Sequence, residues 1–280
     1  MIDILLTANE LRAWSRAARA AGKTVGLVPT LGALHAGHAS LIVAARSRCH
    51  AVAVSIFVNP TQFGPNEDYA RYPRSFEADC ALAAAHGADV VFAPSVEEMY
   101  PAGAATFVEV EGLGNRLDGA SRPGHFRGVA TVVTKLFAAA EADLAFFGQK
   151  DAAQVAVLRR MTADLLLATE IVVCPIVRES DGLALSSRNV YLGTEERTQA
   201  LALSRAIGVV ESLAGHGQRS AEALIESAHA VLGAEPLIRI DYIALVDWNT
   251  LEPLESAIPG ALFAIAAWVG ATRLIDNTIF

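Results

Sequence analysis

The stretch Val28 to His38, V-P-T-L-G-A-L-H-A-G-H, concentrates groups that can hold an anion. His35 and His38 are spaced i, i+3, so on the opening turn of a helix their imidazoles are neighbours. The free N–H groups of a helix start carry partial positive charge, and two imidazoles beside them make a phosphate the natural ligand. Pro29 and Gly32 lead the chain out of a preceding apolar run, and glycines at positions 32 and 37 let a nucleotide come close to the backbone. A bare H-x-x-H also describes ordinary surface histidines in a turn; the buried strand before it and the Gly before the second His favour a site. Zinc fits less well, because no third ligand is spaced to join and metalloprotease helices set their histidines at i, i+4 around a Glu. There is no Walker A motif, since the residue five before Gly22-Lys23 is Ala17.

A site of this kind needs a strand before it and a helix after it, and the sequence supplies both repeatedly. Apolar runs without polar alternation occur at Val25 to Val28, Ala51 to Val58, Val90 to Ala93, Leu144 to Phe147 and Ile171 to Ile176, as expected for strands buried on both faces of a parallel sheet. Helical segments are expected at Ala39 to Cys49, Phe76 to His86, Val129 to Ala140 and Ala152 to Leu166. An opening amphipathic helix is marked by the capping box Thr7/Glu10 and ends at Gly22. The alternation predicts an α/β, doubly wound, Rossmann-like domain over residues 1–177, with ligands beyond the carboxyl ends of the strands. Polar residues gather in those loops: after the first run, at NPTQFGPNEDYARYP, and at GQKD after Phe147. From about Arg178 the pattern changes to a Ser-rich loop, two helical segments (Glu195 to Leu213 and Ala221 to Leu232) and two strand-like runs (Ile238 to Val246 and Leu262 to Val269). Residues 178–280 therefore read as a smaller α+β domain.

Composition narrows the partners. With 22 basic and 30 acidic residues in 280, the net charge is −8, and the part from Arg178 onward carries −6 of it. Such a surface is a poor platform for nucleic acid and favours small-molecule ligands. Only three of the 22 basic residues are lysines, Lys23, Lys135 and Lys150, which makes each of them worth weighing. Cys49, Cys80 and Cys174 are odd in number and far apart, the pattern of buried thiols. The start of the chain has no basic region ahead of an apolar one, and the stretch SAIPGALFAIAAWVGAT is broken by Pro259-Gly260. A cytoplasmic protein with no membrane partner is the expectation.

His35-Ala36-Gly37-His38 resembles the H-x-G-H signature of the nucleotidyltransferase superfamily. The resemblance to its pantothenate synthetase family continues in order through SIFVNPTQFGPNEDYARYPR, SRPGHFRGVATVV, FFGQKDAAQ, PIVRESDGLALSSRNVYL and DYIALVD, and so covers essentially the whole chain. It implies ATP-dependent condensation of (R)-pantoate with β-alanine through a pantoyl-adenylate, giving pantothenate, AMP and pyrophosphate with Mg²⁺, in a homodimer whose smaller domain acts as a lid. The chemistry agrees: a carboxylate resists attack by an amine at pH 7 until its oxygen is turned into a leaving group. AMP transfer does that by positioning and charge stabilisation, without a protein nucleophile.

The same resemblance assigns the site. His35 and His38 match the phosphate-binding pair, with His38 at the position described as proton donor. Pro29, Leu31, Gly32 and Gly37 complete the nucleotide segment around them. Gln62 and Gln154 match the glutamines that hold pantoate, with Asn59 beside them and Arg122 near the pantoate or phosphate site. Gly148, Lys150 and Asp151 fall in the ATP segment, with Lys150 for the phosphates and Asp151 for the ribose hydroxyls; Val177 matches a residue whose backbone meets the adenine. Leu185, Ser186, Ser187 and Arg188 look like a phosphate loop that closes over the nucleotide, although by composition alone this stretch also suits an interdomain linker. Leu31 stands where Met is usual and Gln149 where Glu is usual, and Trp248 is atypical. Two other readings stay open: a related enzyme that keeps AMP or CMP in its product, told apart by free AMP, and a silent nucleotide-binding regulator, told apart by the absence of pyrophosphate release. An aminoacyl-tRNA synthetase relative is disfavoured by the acidic C-terminal part.

Overall fold

A computed structural model describes residues 2–65 and 67–280. By internal contacts it divides into two compact units, one running through Gly148 and including Val157–Cys174, the other comprising Gln149–Ala156 and Pro175–Phe280. The expected boundary after residue 177 lies three residues from the last of these junctions, and the short excursion of Gln149–Ala156 had no marker in the sequence.

The first unit is a six-stranded parallel sheet. Its elements are β1 (Asp3–Leu5), α1 (Ala8–Ala20), β2 (Val25–Thr30), α2 (Ala36–Arg48), β3 (Ala51–Ile56), α3 (Phe76–Ala85), β4 (Val90–Phe92), α4 (Val96–Met99), α5 (Asp118–Ser121), α6 (His125–Ala140), β5 (Leu144–Gly148), α7 (Ala152–Asp164), whose first turn belongs to the other unit, and β6 (Glu170–Cys174). Strand order is β1-β4-β3-β2-β5-β6. Val25, Leu27, Val28, Val52, Val54, Val91 and Phe146 are shut away from solvent, as unbroken apolar runs in a parallel sheet require. All three cysteines are buried free thiols. The direction of winding reverses between β2 and β5, which pair through Gly26↔Leu144 and Leu27↔Ala145. In open α/β sheets this switch point is where ligands settle, outside the strands' carboxyl ends.

The second unit is a three-stranded antiparallel sheet, β7 (Ile238–Asp247), β8 (Ala261–Val269) and β9 (Thr272–Ile279), with α8 (Thr194–Gly215) and α9 (Ala221–Gly233). Leu203, Ile207, Leu224, Leu232, Phe263 and Ile265 form its core. Two strands, β1 and β9, went unread in the sequence. Among the described residues no helix is long and apolar enough to cross a membrane.

Candidate active site

Within the first unit the histidine pair sits where β2 turns into α2. Gly32 and Ala33 both have positive φ, 88° and 50°, so the chain reverses sharply after Leu31. Glycine takes that conformation freely, whereas Ala33 needs outside support. Asp79 of α3, almost wholly buried, provides it: its Oδ2 accepts the N–H of Ala33 at 2.9 Å and its Oδ1 the N–H of Leu34 at 2.8 Å, while the Ser75 hydroxyl also donates to Oδ1 at 3.0 Å. At the strand end, the Thr30 hydroxyl donates to the Ser55 carbonyl at 2.6 Å and accepts the Gly32 N–H at 3.2 Å. Pro29 thus belongs to β2 itself, and Leu31 and Gly32 to the turn.

His35 is the N-cap of α2, so the pair does fall on the opening turn. Its Nδ1 accepts the Gly37 N–H at 3.1 Å, and the His35 N–H is donated to His38 Nδ1 at 3.3 Å. Backbone N–H groups can only donate, so in each neutral ring the proton sits on Nε2. The two rings lie 4.1 Å apart between centroids. This sets two Nε2–H donors beside a helix N-terminus at the sheet's switch point, an arrangement that suits an anion.

Asn59 and Gln62 lie in the turn after β3, Asn59 fully buried and Gln62 nearly so. Asn59 Oδ1 accepts from the Thr61 N–H (3.3 Å), the Thr61 hydroxyl (3.0 Å) and the Tyr100 hydroxyl (2.8 Å). Its Nδ2 donates to the Gly128 carbonyl (3.1 Å) and to Gln62 Oε1 (3.2 Å). A Cβ on Gly128 would stand 2.3 Å from the Thr61 carbonyl oxygen, so only glycine lets α6 come this close to the turn. Burial pushes the Tyr100 phenol up, consistent with its role as a donor here. Arg122 forms a fork with Glu67, Nε to Oε1 at 2.8 Å and NH2 to Oε2 at 2.6 Å. Burial pushes Glu67 up, but the Arg122 bonds and charge outweigh it and hold the carboxyl below its usual range.

In the second unit, Gln149–Asp151 form a single 3₁₀ turn after β5 ends at Gly148, and α7 follows with Gln154 in its first turn, half-buried. Asn277 of β9 donates from Nδ2 to the carbonyls of Gln149 (3.0 Å) and Lys150 (2.9 Å), and accepts from Gln149 Nε2 at 3.2 Å. Trp248 donates its indole N–H to the Ala152 carbonyl at 2.9 Å, which accounts for the residue that sequence reasoning left unexplained. Lys150 Nζ is 3.8 Å from Asp151 Oδ1. Gln149 thus uses its amide to meet Asn277, a pairing a Glu would make differently.

Val177 opens a tight hairpin closed by the Leu185 N–H to Val177 carbonyl bond at 2.9 Å and the Arg178↔Ala184 bridge. The buried Asp276 carboxylate on β9 anchors it through two bonds from Arg178, 2.6 and 2.9 Å. The Asp276 bond chiefly holds the Arg178 guanidinium above its usual pKa. Ser186 then caps the 3₁₀ turn Ser187–Tyr191, its hydroxyl accepting the Arg188 N–H at 3.2 Å, with Ser186, Ser187 and Arg188 all half-buried. Sequence reasoning missed Asp79, Asn277 and Asp276, which fix the segments that carry the candidate site residues. Each lies far along the chain from what it holds, and a lone Asp or Asn gives no signal of such a role.

A parallel α/β sheet with an H-x-G-H turn at its switch point has the architecture of a nucleotide-handling enzyme. The model of the pantoate-beta-alanine ligase family matches residues 3–279, and the chain belongs to that family. A pantothenate synthetase of Acidobacterium capsulatum is 60% identical over 257 residues, 92% of this chain and 86% of that one. That of Koribacter versatilis is 56% identical over 276 residues, 99% and 95% of the two chains. Among solved structures, pantothenate synthetase from Thermus thermophilus superposes with a TM-score of 0.94 at 47% identity, covering 99% of both chains. Pantoate-beta-alanine ligase from Francisella tularensis, complexed with beta-gamma ATP and beta-alanine, gives 0.81 at 33% identity over 100% of this chain and 98% of that one.

Proposed function

We propose that this pantoate-beta-alanine ligase works through two half-reactions. A pantoate carboxylate oxygen attacks the α-phosphorus of ATP in line; the new O–P bond forms as the bond to the β-phosphate oxygen breaks, and pyrophosphate leaves. The amine of β-alanine then attacks the acyl carbon, loses a proton and expels AMP, giving pantothenate.

The observation that carries this reading is the pair of backbone N–H bonds onto the Nδ1 atoms of His35 and His38, which assign both rings as Nε2–H donors beside the α2 N-terminus. Such donors stabilise charge building on phosphate oxygens in the transition state, and no nucleophile is asked of the protein. In this reading His35, His38 and Lys150 act on the phosphates, with Ser186, Ser187 and Arg188. Pro29, Leu31, Gly32, Gly37, Gly148, Asp151, Val177 and Leu185 surround the nucleotide. Gln62 and Gln154 hold pantoate, with Asn59 and Arg122 beside them.

Mg²⁺ bound to the triphosphate would neutralise part of its charge. Among the described residues no group of three or more His, Cys, Asp or Glu is arranged as a metal site. Mg²⁺ would arrive with the nucleotide and need no such cage, and Asp151 keeps its place by the ribose hydroxyls. In this reading the protein works in the cytoplasm as a homodimer, and residues 178–280 serve as a lid.

The test is pantoate-dependent exchange of pyrophosphate into ATP without β-alanine. Exchange supports a free-standing adenylation step, and a strict need for β-alanine rejects it in favour of one concerted complex. Free AMP, rather than ADP, is the expected nucleotide product.

A further inference from the structure

Gln62 is held at its main chain as well as its side chain, and the main-chain support comes from a residue with no assigned role. We infer that His125 is a positioning residue for Gln62, acting as a neutral imidazole protonated at Nδ1 that fixes the Gln62 carbonyl. This rests on the reading that Gln62 binds pantoate.

The assignment follows from partners whose polarity is fixed. His125 Nδ1 lies 2.8 Å from the Gln62 carbonyl oxygen, which can only accept, so Nδ1 carries the proton. Its Nε2 lies 3.0 Å from Arg122 NH1, and a guanidinium can only donate, so Nε2 must offer its lone pair. One tautomer of the neutral ring satisfies both; an imidazolium would oppose an N–H to the guanidinium. Arg122 is in turn locked by its fork to Glu67, and its NH2 reaches the same Gln62 carbonyl at 3.4 Å. Burial, then the Arg122 charge, depress His125 to about 4, so the neutral ring persists through the working pH range.

The same carbonyl-to-donor logic orders the side chain. Thr61 N–H fixes Asn59 Oδ1 as acceptor and the Gly128 carbonyl fixes Asn59 Nδ2 as donor, so Gln62 Oε1 accepts and its amide nitrogen is the donor end. His125 and Gly128 both lie in the first turn of α6, so one helix end sets both the place and the polarity of Gln62. Arg122 then contributes by holding His125, with its fork already committed to Glu67.

The imidazole Nδ1 is mimicked in reach by an Asn amide and the Nε2 by a Gln amide, which gives a discriminating series. In pantoate-dependent ATP–pyrophosphate exchange, H125A and H125Q should raise the pantoate KM about tenfold, the scale of one lost hydrogen bond to a buried carbonyl, with the ATP KM within about twofold. H125N should recover most of that loss. Histidine ¹⁵N spectra of the unaltered protein at pH 7 should show an Nδ1-protonated neutral ring, a readout that needs no variant to fold. An Nε2-protonated or charged ring, equal losses for ATP and pantoate, or an H125N no better than H125A overturns the inference. If Q62A raises the pantoate KM and the His125 variants do not, His125 alone is misassigned; if Q62A leaves it unchanged, the pantoate reading of Gln62 falls and this inference with it.

Discussion

Asp79 accepts the backbone N–H of Leu34 at 2.8 Å, directly ahead of the histidine pair and 45 residues away in sequence. The same carboxylate takes the N–H of Ala33, whose φ of 50° is costly for a residue with a Cβ. Replacing Asp79 by Ala leaves two N–H groups without acceptors, each worth about 1–3 kcal/mol where water is excluded. D79A should therefore lower Tm and also slow adenylation, because the turn that sets His35 relaxes. D79N, which keeps one acceptor oxygen, should fall between. Thermal unfolding beside exchange kinetics checks this, and a D79A enzyme with unaltered exchange would detach the turn from the chemistry.

Removing either histidine should cost about 10²- to 10³-fold in adenylation, the scale for one preorganised donor to a developing charge. H38A should keep its melting temperature within a few degrees, since His38 is only half-buried. Single-turnover AMP formation is the measurement, and near wild-type turnover in either variant takes that histidine out of the mechanism.

Lys150 lies in a segment held by Asn277, which donates to the carbonyls of both Gln149 and Lys150. K150R keeps the charge, yet a planar guanidinium on a longer stem does not place a compact cation at the same point. A large loss in adenylation with unchanged Tm is expected. N277D would set a carboxylate against those two carbonyls and should lower both Tm and rate. Full activity in K150R would reduce Lys150 to a general electrostatic contributor.

Much of the sheet was legible because strands buried on both faces run through unbroken apolar stretches, as Val25–Val28, Ala51–Val54 and Leu144–Gly148 do. The unread strands fail that test for physical reasons. Asp3–Leu5 is three residues at a sheet edge, two of them exposed. Thr272–Ile279 carries Arg273, Asp276 and Asn277, charges and amides that look like loop until Arg178 and the Gln149–Lys150 carbonyls are seen to satisfy the buried ones. The histidine pair was readable because its residues are close in sequence. Asp79, His125 and Trp248 act across folds of the chain, and only coordinates bring them to what they hold.

His125 also makes a pH prediction. In the native protein burial and then Arg122 hold it at about 4, against the ordinary 6.5 of an unfolded chain, while the Gln62 carbonyl, Asp118 and Glu67 pull the other way without prevailing. Between pH 6.5 and 4 the unfolded chain therefore binds a proton here that the native state refuses. Stability must fall as pH drops through that window and level off, in this contribution, below it. Carboxylates held low by arginine, Glu67 and Glu141 among them, also lose stabilising contacts toward acid, so the slope of the wild type alone cannot assign the effect. H125N has no titrating group at this position and retains the donor to Gln62. Its denaturant-unfolding free energy should decline less steeply than the wild type's from pH 6.5 to 4, with the two curves running parallel above about pH 7. Parallel curves across the whole range would mean that the imidazole is protonated as readily in the fold as out of it, and the neutral ring between Arg122 and Gln62 would have to be abandoned.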